Sequence, residues 1–421
     1  MTNPNWYNSG IEHIWQPYGQ FPDSPAPLAV ERTEGCRIYL ADGRSLVDGV
    51  SSWWSAAHGY NHADLLAAAH KQLDIMPHVM FGGLAHEPAY NLAARLSAIT
   101  PGSGELSRVF FADSGSIATE VAMKIALQYW RNLGKVRKEK FVCLHHGYHG
   151  DTFGAMSVSD PQRGMHKAFR NNVVHHYALE MPQGEYELAE FAATLEAIAP
   201  QTAAFIMEPL VQGAGGMIFH SPDSLAEIRR LCAQNNILFI ADEIATGFAR
   251  TGTMFACEQA GIVPDIMLLG KGLTGGVVGL AAVLAREEIY QSFVSEDREK
   301  ALMHGPTYMA NALACAVANA SLDLFASEPR LQQANQIETW LLAELQELRQ
   351  LPQVLDVRVQ GAIGVVQLEG PNILELRKQF IAKNVWIRPF GEVIYLMPPL
   401  VISQEELAEL MQAVGEVVRG L

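Results

Sequence analysis

Ile237-Leu-Phe-Ile-Ala-Asp242 and Asp265-Ile-Met-Leu-Leu-Gly-Lys271 decide the fold. Each is a short apolar run of strand length that closes on a charged residue and then breaks into a glycine-containing turn. Ala245-Thr-Gly-Phe248 follows the aspartate and Gly272-Leu-Thr-Gly-Gly276 follows the lysine. In an open parallel sheet, ligands gather beyond the carboxyl ends of such strands. Taken singly, a strand-end lysine or aspartate is ordinarily a solvated or ion-paired side chain. Together they suit a particular chemistry, in which an amine condenses with a carbonyl and a carboxylate keeps a ring nitrogen protonated.

Working outward, residues 105–285 alternate strand-like runs with amphipathic helical ones, which predicts an α/β fold with a mostly parallel sheet covered by helices. The expected strands are Arg108–Ala112, Phe141–Leu144, Ala203–Met207, Ile237–Ala241, Ile266–Leu269 and Leu280–Leu284. A helix over Ser224–Ala233 places Leu225, Ile228, Leu231 and Cys232 on one face. The last hundred residues differ. Val354–Val359, Ala362–Leu368 and Val393–Met397 read as strands of a second sheet, followed by a helix with a Ser403-x-x-Glu406 capping box. That helix carries an apolar stripe of Leu407, Leu410, Met411, Val414, Val417 and Val418. With Cys36-Arg-Ile-Tyr-Leu40 as a further strand, the expected division is an N-terminal segment 1–52 packing with the small domain, a large domain 53–326 and a small α/β domain 327–421.

Bulk properties bound the function. The chain has 421 residues, 49% of them hydrophobic, enough for more than one buried core. A net charge of −15 disfavours nucleic acid and anionic membrane as partners. Five scattered cysteines at 36, 143, 232, 257 and 315 include no Cys-x-x-Cys and read as reduced thiols. The opening Met-Thr-Asn-Pro-Asn-Trp lacks a basic region followed by an apolar one, so a cytoplasmic location is expected.

Five further motifs carry chemistry. Phe111-Ala-Asp-Ser-Gly-Ser-Ile follows a strand and opens a helix, where Gly115 permits a tight turn and Ser116 with backbone N–H groups suits a phosphate. On its own it is as much an ordinary serine cap. Phe141-Val-Cys-Leu-His-His-Gly-Tyr-His-Gly-Asp151 sets Tyr148 and His149 in a loop beyond a strand, where an aromatic ring can stack on a ligand. The neighbouring histidines do not have the spacing or companions of a metal site, and none is expected. Glu208, in Met207-Glu-Pro-Leu, ends another strand, and Met303-His-Gly-Pro-Thr-Tyr308 combines a proline turn with a hydroxyl. Arg388, in Trp386-Ile-Arg-Pro-Phe390, offers a planar fork for a carboxylate or merely for a structural aspartate.

Assembled, these residues make the chain resemble the class III (ω-amino) aminotransferases of the fold-type I pyridoxal-phosphate superfamily over nearly its whole length. The class-level resemblance runs from Asp242-Glu-Ile-Ala-Thr-Gly-Phe248 through Lys271. A narrower one rests on His13-Ile-Trp-Gln-Pro-Tyr18, Asp48-Gly-Val-Ser-Ser-Trp-Trp54, His78-Val-Met-Phe-Gly-Gly83, Gly147–Met156, His304-Gly-Pro-Thr307 and Trp386–Phe390.

The resemblance implies pyridoxal 5′-phosphate as cofactor, attached to Lys271 and with Asp242 on its ring nitrogen. Gly115 and Ser116 would hold the phosphate, joined by Pro306 and Thr307 from the second subunit of a homodimer with shared active sites. Tyr148 would stack on one ring face and Ile244 pack on the other. Tyr18, Trp53, Tyr148 and Gly305 would line the substrate pocket, and Arg388 would bind a carboxylate. The implied small-molecule substrates are S-adenosylmethionine as amino donor and 8-amino-7-oxononanoate as acceptor, used in turn in a ping-pong reaction of biotin biosynthesis. Another ω-aminotransferase using lysine, a diamine or a β-amino acid, an aminomutase, and a silent scaffold of the same fold remain open. One departure is Ala249, where the family pattern has glycine before Arg250-Thr-Gly.

Overall fold

A computed structural model of the chain describes residues 3–20 and 24–421 and divides it into two compact units, residues 64–328 and residues 1–63 with 329–421. The larger unit is built on a seven-stranded sheet. Its order is Arg108–Ala112, Ala281–Ala285, Ile266–Leu269, Leu238–Asp242, Thr202–Met207, Lys140–Leu144, Tyr177–Leu179. Ala281–Ala285 runs antiparallel to both its neighbours, and the other pairings of the sheet are parallel. The sheet is buried on both faces, and side chains alternate between two cores. Ile266 and Leu268 join Val121, Ile125 and Trp130 of the helix Gly115–Asn132, while Met267 and Leu269 join Leu92, Leu96 and Leu322 from Glu87–Ile99 and Ala312–Ser327. This two-sided cover is why the strands read as continuous apolar runs rather than alternating ones.

The parallel strands end at one edge. Asp113 to Ser116, the loop 145–151, Glu208, Asp242 and Lys271 all follow carboxyl ends there. The residues singled out by motif are thereby drawn to one rim by sheet topology alone.

The smaller unit holds two sheets. Val30–Glu34, Arg37–Leu40 and Ser45–Asp48 form an antiparallel ladder to which Val385–Trp386 adds in parallel, Val385 opposite Val47. Val354–Gln360, Ile363–Leu368 and Val393–Leu396 form the other, antiparallel throughout. Trp53 and Trp54 fall in this unit, not in the larger one as the expected boundary at 52/53 has it. The reason is hydrogen bonding: Ser51 Oγ donates to Met397 O at 2.7 Å, Met397 N to Gly49 O and Leu400 N to Ala57 O. The capping box is also only half made. Ser403 accepts the Glu406 N–H at 3.1 Å, but the Glu406 carboxylate is taken by Arg37 at 3.0 Å. No described helix is long and apolar enough to cross a membrane.

Candidate active site

In the larger unit, Asp242 closes its strand opposite Leu268 of the adjacent strand, and Lys271 follows that strand in the left-handed region at φ 45°. A non-glycine residue held there is uncommon and strained. Burial lowers the pKa of the Lys271 amine, and the carboxylates of Asp242, Glu208 and Asp151 act in the opposite direction. The amine is therefore biased toward the neutral, nucleophilic form by its setting.

Asp242, 3% exposed, is held at both oxygens. Oδ1 accepts the Ile244 N–H at 3.1 Å and Oδ2 lies 2.7 Å from His149 Nδ1. Because an ionised carboxylate only accepts, Nδ1 must carry the proton of this bond. His149 is fixed in turn by its own backbone, whose N–H donates to Ser159 Oγ and whose carbonyl accepts from Thr119 Oγ1 at 2.8 Å. Its Nε2 is buried and has no partner among the described residues. Sequence reasoning placed His149 in the loop but gave it no role; its only signal was the second histidine of His-Gly-Tyr-His-Gly.

Glu208, buried at 3% exposure, accepts the Tyr148 N–H at 3.0 Å and the Gly213 N–H at 2.9 Å. Burial pushes its carboxyl up to about 7; His149 counteracts this and Asp242 adds to it. Glu208 thus fixes the loop that carries Tyr148. The Tyr148 hydroxyl donates to Asp151 Oδ1 at 3.0 Å, the same oxygen that His166 Nε2 meets at 2.8 Å, and the Tyr148 and His166 rings stack at 5.7 Å.

At the start of the helix Gly115–Asn132, Ser114 is the cap, accepting from Ile117 N at 3.4 Å. Ser116 Oγ accepts the Asp151 N–H at 3.0 Å and keeps its own proton to donate. A Cβ on Gly150, whose φ is +128°, would collide with Ser116 Oγ. A Cβ on Gly115 would meet Ile244 Cδ1 at 3.0 Å, and one on Gly270 would meet Ile244 Cγ2 at 3.3 Å. Ile244 thus sits in a seat cleared by two glycines.

A phosphate-bearing aromatic aldehyde fits this rim. The long helix presents its first N–H groups and the Ser116 hydroxyl on one side, Asp242 and Lys271 stand at neighbouring strand ends, and Ile244 and Tyr148 offer an apolar face and a ring. Gly305, Pro306 and Thr307 are different. Gly305 and Thr307 are exposed, and among the described residues none of the three is hydrogen-bonded to Gly115 or Ser116.

Ala249 takes φ 69°, after Phe248 at φ 59°, so the position adopts the conformation for which glycine was expected, at the cost of a strained alanine. Its loop is clamped by the buried Glu243, whose carboxylate accepts from Thr246 Oγ1 at 2.6 Å, Ala256 N at 3.0 Å and Cys257 N at 2.8 Å.

In the smaller unit, Tyr18 and Trp53 meet edge to face at 6.4 Å, and the Arg388 guanidinium carbon lies 4.6 Å from the centre of the Trp53 ring and 6.0 Å from that of Tyr18. Ser51, Ser52, Trp53 and Trp54 are all left-handed, with φ 47°, 47°, 55° and 73°. Asp48 holds this unusual run together. Its Oδ1 accepts the Val50 N–H at 2.8 Å, and its Oδ2 accepts the Ser52 N–H at 3.2 Å and the Tyr60 hydroxyl at 2.6 Å. Asp48 and Tyr60 were not anticipated; a left-handed turn without glycine has no local sequence signal.

Comparison with known proteins agrees with this chemistry. The profile of the class-III aminotransferases matches residues 18–418. An adenosylmethionine-8-amino-7-oxononanoate aminotransferase of Corynebacterium glutamicum is 43% identical, covering 100% of both chains, and one of Saccharomyces cerevisiae is 36% identical, covering 97% of this chain and 94% of its own. Among solved structures, an enzyme of the same name from Methanocaldococcus jannaschii superposes with a TM-score of 0.93 at 34% identity, covering 98% of each chain. A pyridoxal-phosphate-bound amine transaminase from an uncultivated Pseudomonas species reaches 0.90 at 31% identity, covering 96% of this chain and 98% of its own.

Proposed function

This chain belongs to the class-III aminotransferases, and on that premise we propose that it moves the α-amino group of S-adenosylmethionine to the ketone of 8-amino-7-oxononanoate, giving 7,8-diaminononanoate for biotin biosynthesis. The observation that carries the substrate assignment is Arg388. Its guanidinium lies over Trp53 beside Tyr18 with no acidic partner among the described residues, so a carboxylate borne on an apolar chain completes it. The shared name of relatives across the full length points the same way.

Pyridoxal phosphate, when bound, supplies a carbonyl and a ring that accepts electrons. In our reading Lys271 would anchor it, Asp242 would keep its ring nitrogen protonated, Gly115 and Ser116 would take the phosphate, and Tyr148 and Ile244 would pack on its ring. Lys271 Nζ, biased toward neutrality, would move the proton on and off the reacting substrate carbon. His149 orients Asp242 through the 2.7 Å bond. Donor and acceptor use the site in turn, so ping-pong kinetics are expected.

We further propose a homodimer in which Gly305, Pro306 and Thr307 complete the partner's phosphate and substrate sites. The support is that, among the described residues, none of the three is hydrogen-bonded to the helix start of its own chain, and that the apolar side chains Met80, Leu84, Tyr90, Met303 and Tyr308 are exposed in the same unit. A reducing, cytosolic setting accords with five buried cysteines, all free.

The test is a donor screen on the pyridoxal-phosphate-loaded protein with 8-amino-7-oxononanoate as acceptor. S-adenosylmethionine should yield 7,8-diaminononanoate, and Lys271→Ala should abolish it. Turnover with lysine or a diamine and none with S-adenosylmethionine would sink the assignment and favour another ω-aminotransferase.

A further inference from the structure

Arg377 belongs to the helix Ile373–Ala382, and Arg388 follows the short strand Val385–Trp386. Both line one cavity of about 510 Å³ inside the smaller unit, walled also by Tyr18, Leu28, Leu46 and Ile381. Among the described residues, Arg377 Nη2 makes a single long bond, 3.3 Å to Pro389 O. Its Nε is closed off from solvent without an acceptor among the described residues. A buried donor left in this state carries a desolvation penalty that a ligand can relieve.

The electrostatics agree. Burial holds both guanidiniums below the usual arginine range, and the charge of Arg388 adds to the effect at Arg377. Among the described residues, the other groups acting on the pair are Tyr395, on both, and Tyr18, on Arg388, and no described carboxylate acts on either. Arginine does not escape such crowding by losing its proton. Two like charges that share a cavity and cannot neutralise themselves are relieved by an anion placed with them, and the aliphatic walls strengthen charged hydrogen bonds made there.

We propose that Arg377 and Arg388 form a paired-guanidinium receptor for one carboxylate at the end of an aliphatic chain, with Arg377 as a second binding residue. The proposal rests on the reading above that Arg388 takes the substrate carboxylate. Arg377 raises affinity for the acid end of the acceptor, and its Nε is the donor the carboxylate satisfies.

The experiment measures inhibition of the holoenzyme by heptanoate, an acid whose chain spans the acceptor from carboxylate to ketone carbon, and by the neutral heptanamide. In R377Q the inhibition constant for heptanoate and the KM for 8-amino-7-oxononanoate should each rise about tenfold, the scale of one charged hydrogen bond. Heptanamide should inhibit as in wild type, and R377K should recover part of the loss. If R388Q weakens heptanoate while R377Q does not, the pair is overturned and the Arg388 reading stands. If R377Q weakens heptanoate and heptanamide equally, Arg377 only props the turn at Pro389 and the proposal is again overturned. If neither variant changes heptanoate binding, the reading of Arg388 fails first.

Discussion

His149 Nδ1 stands 2.7 Å from Asp242 Oδ2, with both side chains buried and the two residues 93 positions apart in the chain. The bond fixes the orientation of the carboxylate where water cannot reach. His149→Ala should lower kcat by about ten- to a hundredfold, the scale of a hydrogen bond to a charged group. Asp242→Asn should cost far more, because a neutral amide lacks the negative charge that would keep a ring nitrogen protonated. Steady-state kinetics on both variants check the order; equal losses would show that His149 does more than orient Asp242.

Glu208 provides a pH signature. Its folded pKa is raised from 4.5 to about 7, so the native state holds a proton that the unfolded state has released between those values. Stability therefore falls as pH rises through that window, by about 3 kcal/mol in total at most. In Glu208→Gln that decline should disappear. The difference in melting temperature, variant minus wild type, should grow between about pH 5 and 8, and a difference independent of pH would refute the assignment.

Ala249 is strained at φ 69°. A left-handed alanine costs about 1–2 kcal/mol, partly offset by the extra chain entropy of glycine. Ala249→Gly should therefore raise stability by roughly 0.5–1 kcal/mol with turnover retained, as thermal melting and an activity assay can establish. A lower melting temperature would mean that the methyl group's buried packing outweighs the backbone strain.

Asp48 organises the left-handed run from Ser51 to Trp54 by accepting two backbone N–H groups and the Tyr60 hydroxyl. Asp48→Ala strands those donors and should destabilise the protein by about 2–4 kcal/mol. If Trp53 serves the substrate, KM should rise several-fold at temperatures where the variant remains folded. An unchanged KM would separate the turn from substrate binding.

The strands were legible because each is a run of apolar residues that a two-sided cover requires, as at Ile266–Leu269. Less legible was the direction of Ala281–Ala285, which runs against its neighbours, since residue type carries no record of strand direction. The unit boundary near Trp53 was misread for a similar reason: the bonds from Ser51 and Gly49 to Met397 join positions that share no local pattern.

By itself the sequence determined which groups are available and roughly where each stands on its element: Lys271 and Asp242 after apolar runs, Gly115 and Ser116 at a helix start, Arg388 beside a proline. Those features depend on residue chemistry and on patterns a few residues long. Only the tertiary structure decided that His149 meets Asp242, that Glu208 fixes the Tyr148 loop, that Asp48 shapes the turn at Trp53, and that Arg377 shares a cavity with Arg388. Such contacts are set by strand order and by competition for buried hydrogen bonds, which are properties of the whole packed chain rather than of any segment in it.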